Sequence, residues 1–112
     1  MKMLALIPLL ILVQLSFFDM QGTISDVYSP TSLKIDNTTV NLDGVDPSGL
    51  NYTQYRILMR ILNDWLVGKD VFVKGGYVYF DLGGSYNSVA INDMIQNRIV
   101  DLKENFMDYY YR

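Results

Sequence analysis

The spacing of hydrophobic residues changes along this chain, and each change marks a predicted element. In residues 51–66, Tyr55, Leu58, Leu62, Trp65 and Leu66 recur at steps of three and four, which places them on one face of a helix. Gln54, Arg56, Arg60, Asn63 and Asp64 fall mostly elsewhere. Gly68 supplies the left-handed exit that ends many helices, and Val71, Phe72 and Val73 follow as a β-branched and aromatic strand. Before the helix, residues 22–28 alternate weakly and residues 32–35 clearly. Ser29-Pro30-Thr31 is a turn, Asp36-Asn37 is the tight turn of a hairpin, and residues 38–42 return. Residues 43–49 form a loop dense in turn formers. After Val73, Lys74-Gly75-Gly76 turns into a strand at 77–80, and residues 81–88 make a flexible connection. Residues 89–91 suit a short final strand, and Asn92 suits the N-cap of a helix carrying Asp93, Met94, Ile95, Ile99 and Leu102. The tail 106–112 extends that helix or frays. This order predicts a mainly β chain with helices, an α+β domain built as a small five-stranded barrel packed by two or three helices rather than a parallel α/β sheet.

The start of the chain follows a different rule. Lys2 is the only charge ahead of an apolar run of about 15 residues, the layout of a secretory signal. The run is short for a spanning helix, which needs about 20 residues. Residues 17–22 hold no A-x-A cleavage pattern, so an uncleaved signal anchor stands as the alternative to a signal peptide. Residues 1–20 are therefore assigned to targeting and residues 22–112 to one exported domain. Its expected location is secreted or extracytoplasmic and membrane-anchored. With no Cys and no His, disulfides, thiol chemistry, imidazole catalysis and ordinary zinc sites are excluded. The domain must be held by core packing, for which a chain that is 50% hydrophobic is suited. A net charge of −3 gives no basic footprint and argues against nucleic acid as a partner.

Four segments in order carry a family resemblance: Ser-Leu-Lys-Ile at 32–35, L-x-G-V-D-P at 42–47, the helix closing in L-x-G-K-x-V-x-V within 61–73, and V-A-I-N-D-M-I within 89–100. Across about residues 22–102 the chain resembles the staphylococcal nuclease (thermonuclease) family. The resemblance implies the five-stranded OB barrel. It also implies an active site with calcium held by carboxylates, a Glu that handles the attacking water, and two Arg side chains on the phosphate. Here the first calcium-binding turn is Ser29-Pro30-Thr31-Ser32, without a carboxylate. Asp46 matches the second calcium-binding Asp, while Asn41 stands in place of the first Arg. Asp46-Pro47-Ser48-Gly49 lacks the Glu, and Lys74-Gly75-Gly76 lacks the second Arg. Removing a single transition-state donor costs about 3 kcal/mol, and a lysine cannot grip phosphate in a bidentate way. The resemblance therefore implies a degenerate nuclease site, a divergent member that has lost catalysis. If activity survives, Asp46 and Lys74 are its catalytic candidates, Asp46 is its metal ligand and calcium its cofactor. Otherwise no cofactor is expected.

Three further groups of residues bear on function. Asp36, Asp43 and Asp46 are close enough in sequence for a calcium site, although turn and loop roles explain them better than any ligand spacing does. Among nine tyrosines, Tyr77 and Tyr79 share one strand face and are candidates for stacking on bases or sugars, or for packing. Tyr109, Tyr110 and Tyr111 crowd the tail, where they suit packing, a partner surface or a membrane interface. Asn37 and Asn51 begin N-x-S/T triplets and are glycosylation candidates. The expected function is a non-catalytic binding or scaffolding module outside the cytoplasm, with a protein, glycan or cell-envelope partner and an N-terminal tether. One alternative is a divergent calcium-dependent phosphodiesterase using Asp46 and Lys74. The other is a single-stranded nucleic-acid binder using Tyr77 and Tyr79.

Overall fold

The computed structural model describes residues 17–106. The predicted targeting run at 1–16 and the tyrosine-rich tail at 107–112 lie outside the described residues. The elements are β1 (Met20–Ser29), β2 (Ser32–Ile35), β3 (Thr38–Asn41), α1 (Tyr52–Leu66), β4 (Asp70–Lys74), β5 (Tyr77–Phe80) and α2 (Ile91–Glu104). They make an α+β fold: one five-stranded antiparallel sheet in the order β3-β2-β1-β4-β5, with two helices among the described residues. The sheet is not closed: β3 and β5 are its edges, without the pairing between them that the expected barrel calls for. Among the described residues no helix is long and apolar enough to cross a membrane.

β1 serves both halves of the sheet. Its first residues, Met20 to Thr23, pair with β4, and Ile24 to Ser29 pair with β2. Register shifts between Ile24 and Asp26 and between Val27 and Ser29 interrupt the ladder. The extra residue at the first shift lets Ile24 and Val27 both face the core although they are three apart. Strict alternation would have sent one of them outward, which is why the pattern at 22–28 is weak in the sequence. The strand also begins at Met20, ahead of the Gly22 at which the domain was expected to begin.

The helices cover the core face of the sheet. Leu58, Leu62 and Leu66 of α1 are fully buried, each worth roughly 1.5–3 kcal/mol of transfer free energy. Trp65 meets Phe80 edge-on at 5.6 Å between ring centroids. The buried stripe begins at Gln54, which the sequence pattern assigned to the polar side, while Tyr55 is exposed. Gln54 is buried because it closes a reciprocal capping box with Asn51 and donates its amide to the Leu102 carbonyl of α2. Gly68, at φ 91, turns the chain out of α1, and its N–H bonds the Ile24 carbonyl at 2.8 Å, tying the helix exit to the middle of β1.

α2 departs from expectation at its start. Residues 89–91 form no strand, and the N-cap is Ala90, which offers no side-chain bond. Asn92 lies inside the helix and is buried. Its Nδ2 donates to the Asp43 carbonyl at 2.8 Å and the Gly76 carbonyl at 2.7 Å, and its Oδ1 accepts the Val78 N–H at 3.0 Å. Three backbone groups from the segment after β3, the β4–β5 turn and β5 are satisfied by one carboxamide. Replacing Asn92 with alanine strands the Asp43 carbonyl and the Val78 N–H and leaves the Gly76 carbonyl with its bond from the Asp43 N–H, so Asn92→Ala is expected to lower unfolding free energy by about 3 kcal/mol in urea titration. Asn105→Ala, at an exposed position bonded only to Asp101, is expected to cost under about 0.5 kcal/mol.

Candidate functional site

Two surfaces of the sheet carry the candidate residues. The first is a groove of about 390 Å³ where the sheet leaves its open side. Met20, Val40 and Val73 give it an apolar floor, and Asp19, Thr39, Asn41 and Asp43 give it a polar rim beside Gly75 and Gly76. The two sides meet at one point, where the Asp43 N–H donates to the Gly76 carbonyl at 2.9 Å. A Cβ on Gly76 would land on the Asp43 carboxylate, which would have to swing aside to admit it. Asp19 fixes the turn from the other side: its carboxylate accepts the Gly75 N–H and its own N–H bonds the Val73 carbonyl.

The β2–β3 hairpin sets which backbone groups face this groove. Ile35 and Thr38 flank its two-residue turn, and Leu33 pairs with Val40. In such a hairpin the Ile35–Thr38 and Leu33–Val40 pairs exchange the ladder bonds. The N–H and C=O groups of Thr39 and Asn41 then point away from β2. Among the described residues they take no backbone partner. Asp43, next in the same outward series, is the one already bonded across the gap.

The second surface is the outer face of β4 and β5, opposite the helices. Phe72 points there, between core-facing Val71 and Val73. Phe18 stacks on Phe72 at 4.8 Å and meets Tyr86 edge-on at 5.0 Å. Phe17 stacks on Tyr86 at 6.0 Å, and the Lys74 ammonium lies 3.8 Å from the Phe17 ring centroid. Phe18 is buried, while Phe17 and Tyr86 remain 48% and 43% exposed. The sequence reading left Phe17 and Phe18 in the targeting segment. The shift from an aliphatic run to a Phe-Phe pair directly before a strand was the available sign that the folded part starts there.

The residues singled out in the sequence are not gathered into one chemical site. Asp46 sits in the loop before α1, where its carboxylate accepts the Ser48 N–H at 3.0 Å and its own N–H bonds Gln96 of α2 at 2.7 Å. The Ser48 side-chain and backbone hydrogen bonds hold its carboxyl below the usual range, which makes it a weaker base. Lys74 is engaged with Phe17 on the outer face. Asn41 lines the groove, and the Ser29–Thr31 turn is closed by its own hydroxyls. Asp36 spends a carboxylate oxygen on the Thr23 N–H, and among the described residues no group of three or more His, Cys, Asp or Glu residues comes together to hold a metal. Tyr79 packs edge-on to Tyr86 at 5.9 Å, whereas the Tyr77 hydroxyl reaches back over Gly44. The two tyrosines share a strand face but not an open stacking platform. Asn37 stands exposed in the hairpin turn, and the Asn51 side chain caps α1.

No family model, curated protein or solved structure matches the chain.

The turn that carries Tyr86 is tied by hydrogen bonds of its own. Asp81 bridges to Tyr86, and its carboxylate accepts the N–H groups of Gly83 and Gly84 and the Gln21 amide. The Gly84 bond leads the interactions that hold the Asp81 carboxyl below its ordinary value. A depressed folded pKa gives stability that is complete above the unfolded value of about 3.9 and lost as pH falls through the folded one. Asp81→Asn is therefore expected to be less stable than the parent at pH 7. The two stability profiles should converge at the acid end, once pH has fallen below the folded value, as measured by urea midpoints across the acid range.

Proposed function

We propose that this chain is a non-catalytic binding module, exported and tethered at its N-terminus, that takes an extended segment of another protein along the open edge of β3. The observation that carries the reading is the groove itself. It joins unpaired outward backbone groups at Thr39 and Asn41 to an apolar floor at Met20, Val40 and Val73. An added strand would bond the backbone groups and place alternate side chains on the floor. An OB-type architecture is the reading of the fold that goes with it. Support comes from the strand order, from the helix between β3 and β4, and from a first strand shared by both halves of the sheet. The resemblance to the staphylococcal nuclease family rests on the same order of segments.

Loss of catalysis is the matching half of the proposal. Asp46 and Lys74 are engaged on different surfaces, and the positions that would hold a Glu and two Arg carry other residues. Full-length protein with single-stranded DNA or RNA and millimolar calcium is expected to give no cleavage above a chelator control. Calcium-dependent cleavage abolished by Asp46→Ala would establish the phosphodiesterase alternative instead. Tight oligonucleotide binding that weakens steeply with salt would establish the nucleic-acid alternative.

The groove is tested with seven-residue peptides selected from a displayed random library against the full chain. Selected peptides are expected to alternate apolar and polar residues. Their affinity, read by fluorescence polarisation, should fall at least about tenfold for Asn41→Pro, a loss of about 1.4 kcal/mol. Proline there removes an outward N–H and leaves the β2–β3 ladder intact. Peptides that bind Asn41→Pro as tightly as the parent would overturn the strand-addition reading.

A further inference from the structure

The apolar run of residues 3–16 leads straight into Phe17, and Phe18 is already packed under the outer face of the sheet. One residue spans at most about 3.6 Å, so no linker separates that run from the folded domain. A domain on a long tether can lie in any orientation, but this one has a single face at the point of exit. That face holds Phe17 and Tyr86, both substantially exposed, with Lys74 over the Phe17 ring. Half-exposed aromatic rings with a lysine ammonium over one of them match the boundary between lipid headgroups and acyl chains, where rings insert and the ammonium snorkels. The carboxylates in this part of the sheet are each engaged, Asp70 on the outer face of β4 by the Thr23 hydroxyl at 2.7 Å. Asp19 is turned onto the Gly75 N–H, and Asp81 onto Gly83, Gly84 and Gln21.

We propose that the face formed by Phe17, Lys74 and Tyr86 is seated on the surface of a phospholipid bilayer in which residues 3–16 are embedded. The inference rests on the tethered reading above and adds an orientation to it. With the outer face on lipid, α1 on the opposite side of the sheet projects into water. The chain's net charge of −3 points to zwitterionic lipid as the fitting surface.

The absence of cysteine makes the test direct, because one introduced thiol carries one label. Full-length Ser85→Cys and Asn63→Cys, each spin-labelled, are reconstituted in phosphatidylcholine vesicles, and accessibility to oxygen is compared with accessibility to a water-soluble nickel chelate. The expected oxygen-to-nickel ratio is several-fold higher at 85, beside Tyr86, than at 63, on the exposed side of α1. Adding Phe17→Ser and Tyr86→Ser should bring the label at 85 to the value at 63 while the protein stays with the vesicles. Equal ratios at 85 and 63 in vesicle-bound parent protein would overturn the seating while leaving the tether in place. Recovery of a soluble chain beginning after Ser16 that does not float with vesicles would overturn both the seating and the tether. Neither result changes the peptide affinity of the groove, so the strand-addition reading stands or falls separately.

Discussion

The Asn92 side chain lies where the two ends of the sheet come closest. Its amide bonds the carbonyls of Asp43 and Gly76, and its carbonyl takes the Val78 N–H. All three partners are backbone groups that the ladder leaves unmatched, because β3 and β5 are not hydrogen-bonded neighbours. Burying such groups without partners costs about 1–3 kcal/mol each, so an apolar residue at this position would leave the Asp43 carbonyl and the Val78 N–H unmatched, with the Asp43 N–H bond to Gly76 still in place. One carboxamide on the first turn of α2 therefore bridges two edges of the sheet that do not pair with each other. It also fixes the width of the groove, since Asp43 and Gly76 are both groove residues.

On the proposed reading, that substitution of a side chain for a strand pair leaves an edge open for binding. A closed sheet would have matched the outward groups of Thr39 and Asn41 internally. The open one presents them beside an apolar floor. Catalytic chemistry needs several charged groups aimed at one point, and here such groups are dispersed by their local bonds. Asp46 is held by Ser48 and Gln96, Asp36 by Thr23, and Lys74 by the Phe17 ring. The aromatic layer under Phe18 is a second, smaller packing unit on the other side of the sheet. It stiffens β4 and β5 from outside while Val71, Val73 and Val78 anchor them from inside.

Much of the fold could be read from the residues. The leucines of α1, the Gly68 exit, the two-residue hairpin at Asp36-Asn37 and the strands at 71–73 and 77–80 follow from periodicity and turn chemistry, which act locally. What escaped the reading was set by contacts distant in sequence. Gln54 is polar and was placed on the outer face, but its bonds to Asn51 and to Leu102 of α2 draw it inward. Asn92 has the chemistry of an N-cap, yet the stronger demand comes from carbonyls on Asp43 and Gly76. The weak alternation before Ser29 reflects bulges in β1 that no local rule locates. Phe18 was hidden because an aromatic residue at the end of an apolar run looks like part of that run. Tyr77 and Tyr79 were chosen as candidates for their shared strand face and lie outside the groove, which arises where the β3 edge meets the β4–β5 turn, a meeting with no sequence signature of its own.

The central claim is that the β3 edge is open while the seam beside it is held shut at Asp43. Residue-resolved amide hydrogen exchange on the free protein addresses this directly. The account predicts fast exchange at Thr39 and Asn41, against strong protection at Val40, Asp43 and Val78. Protection at Thr39 and Asn41 equal to that of Val40 would mean that the edge is already paired or covered, and would contradict the account.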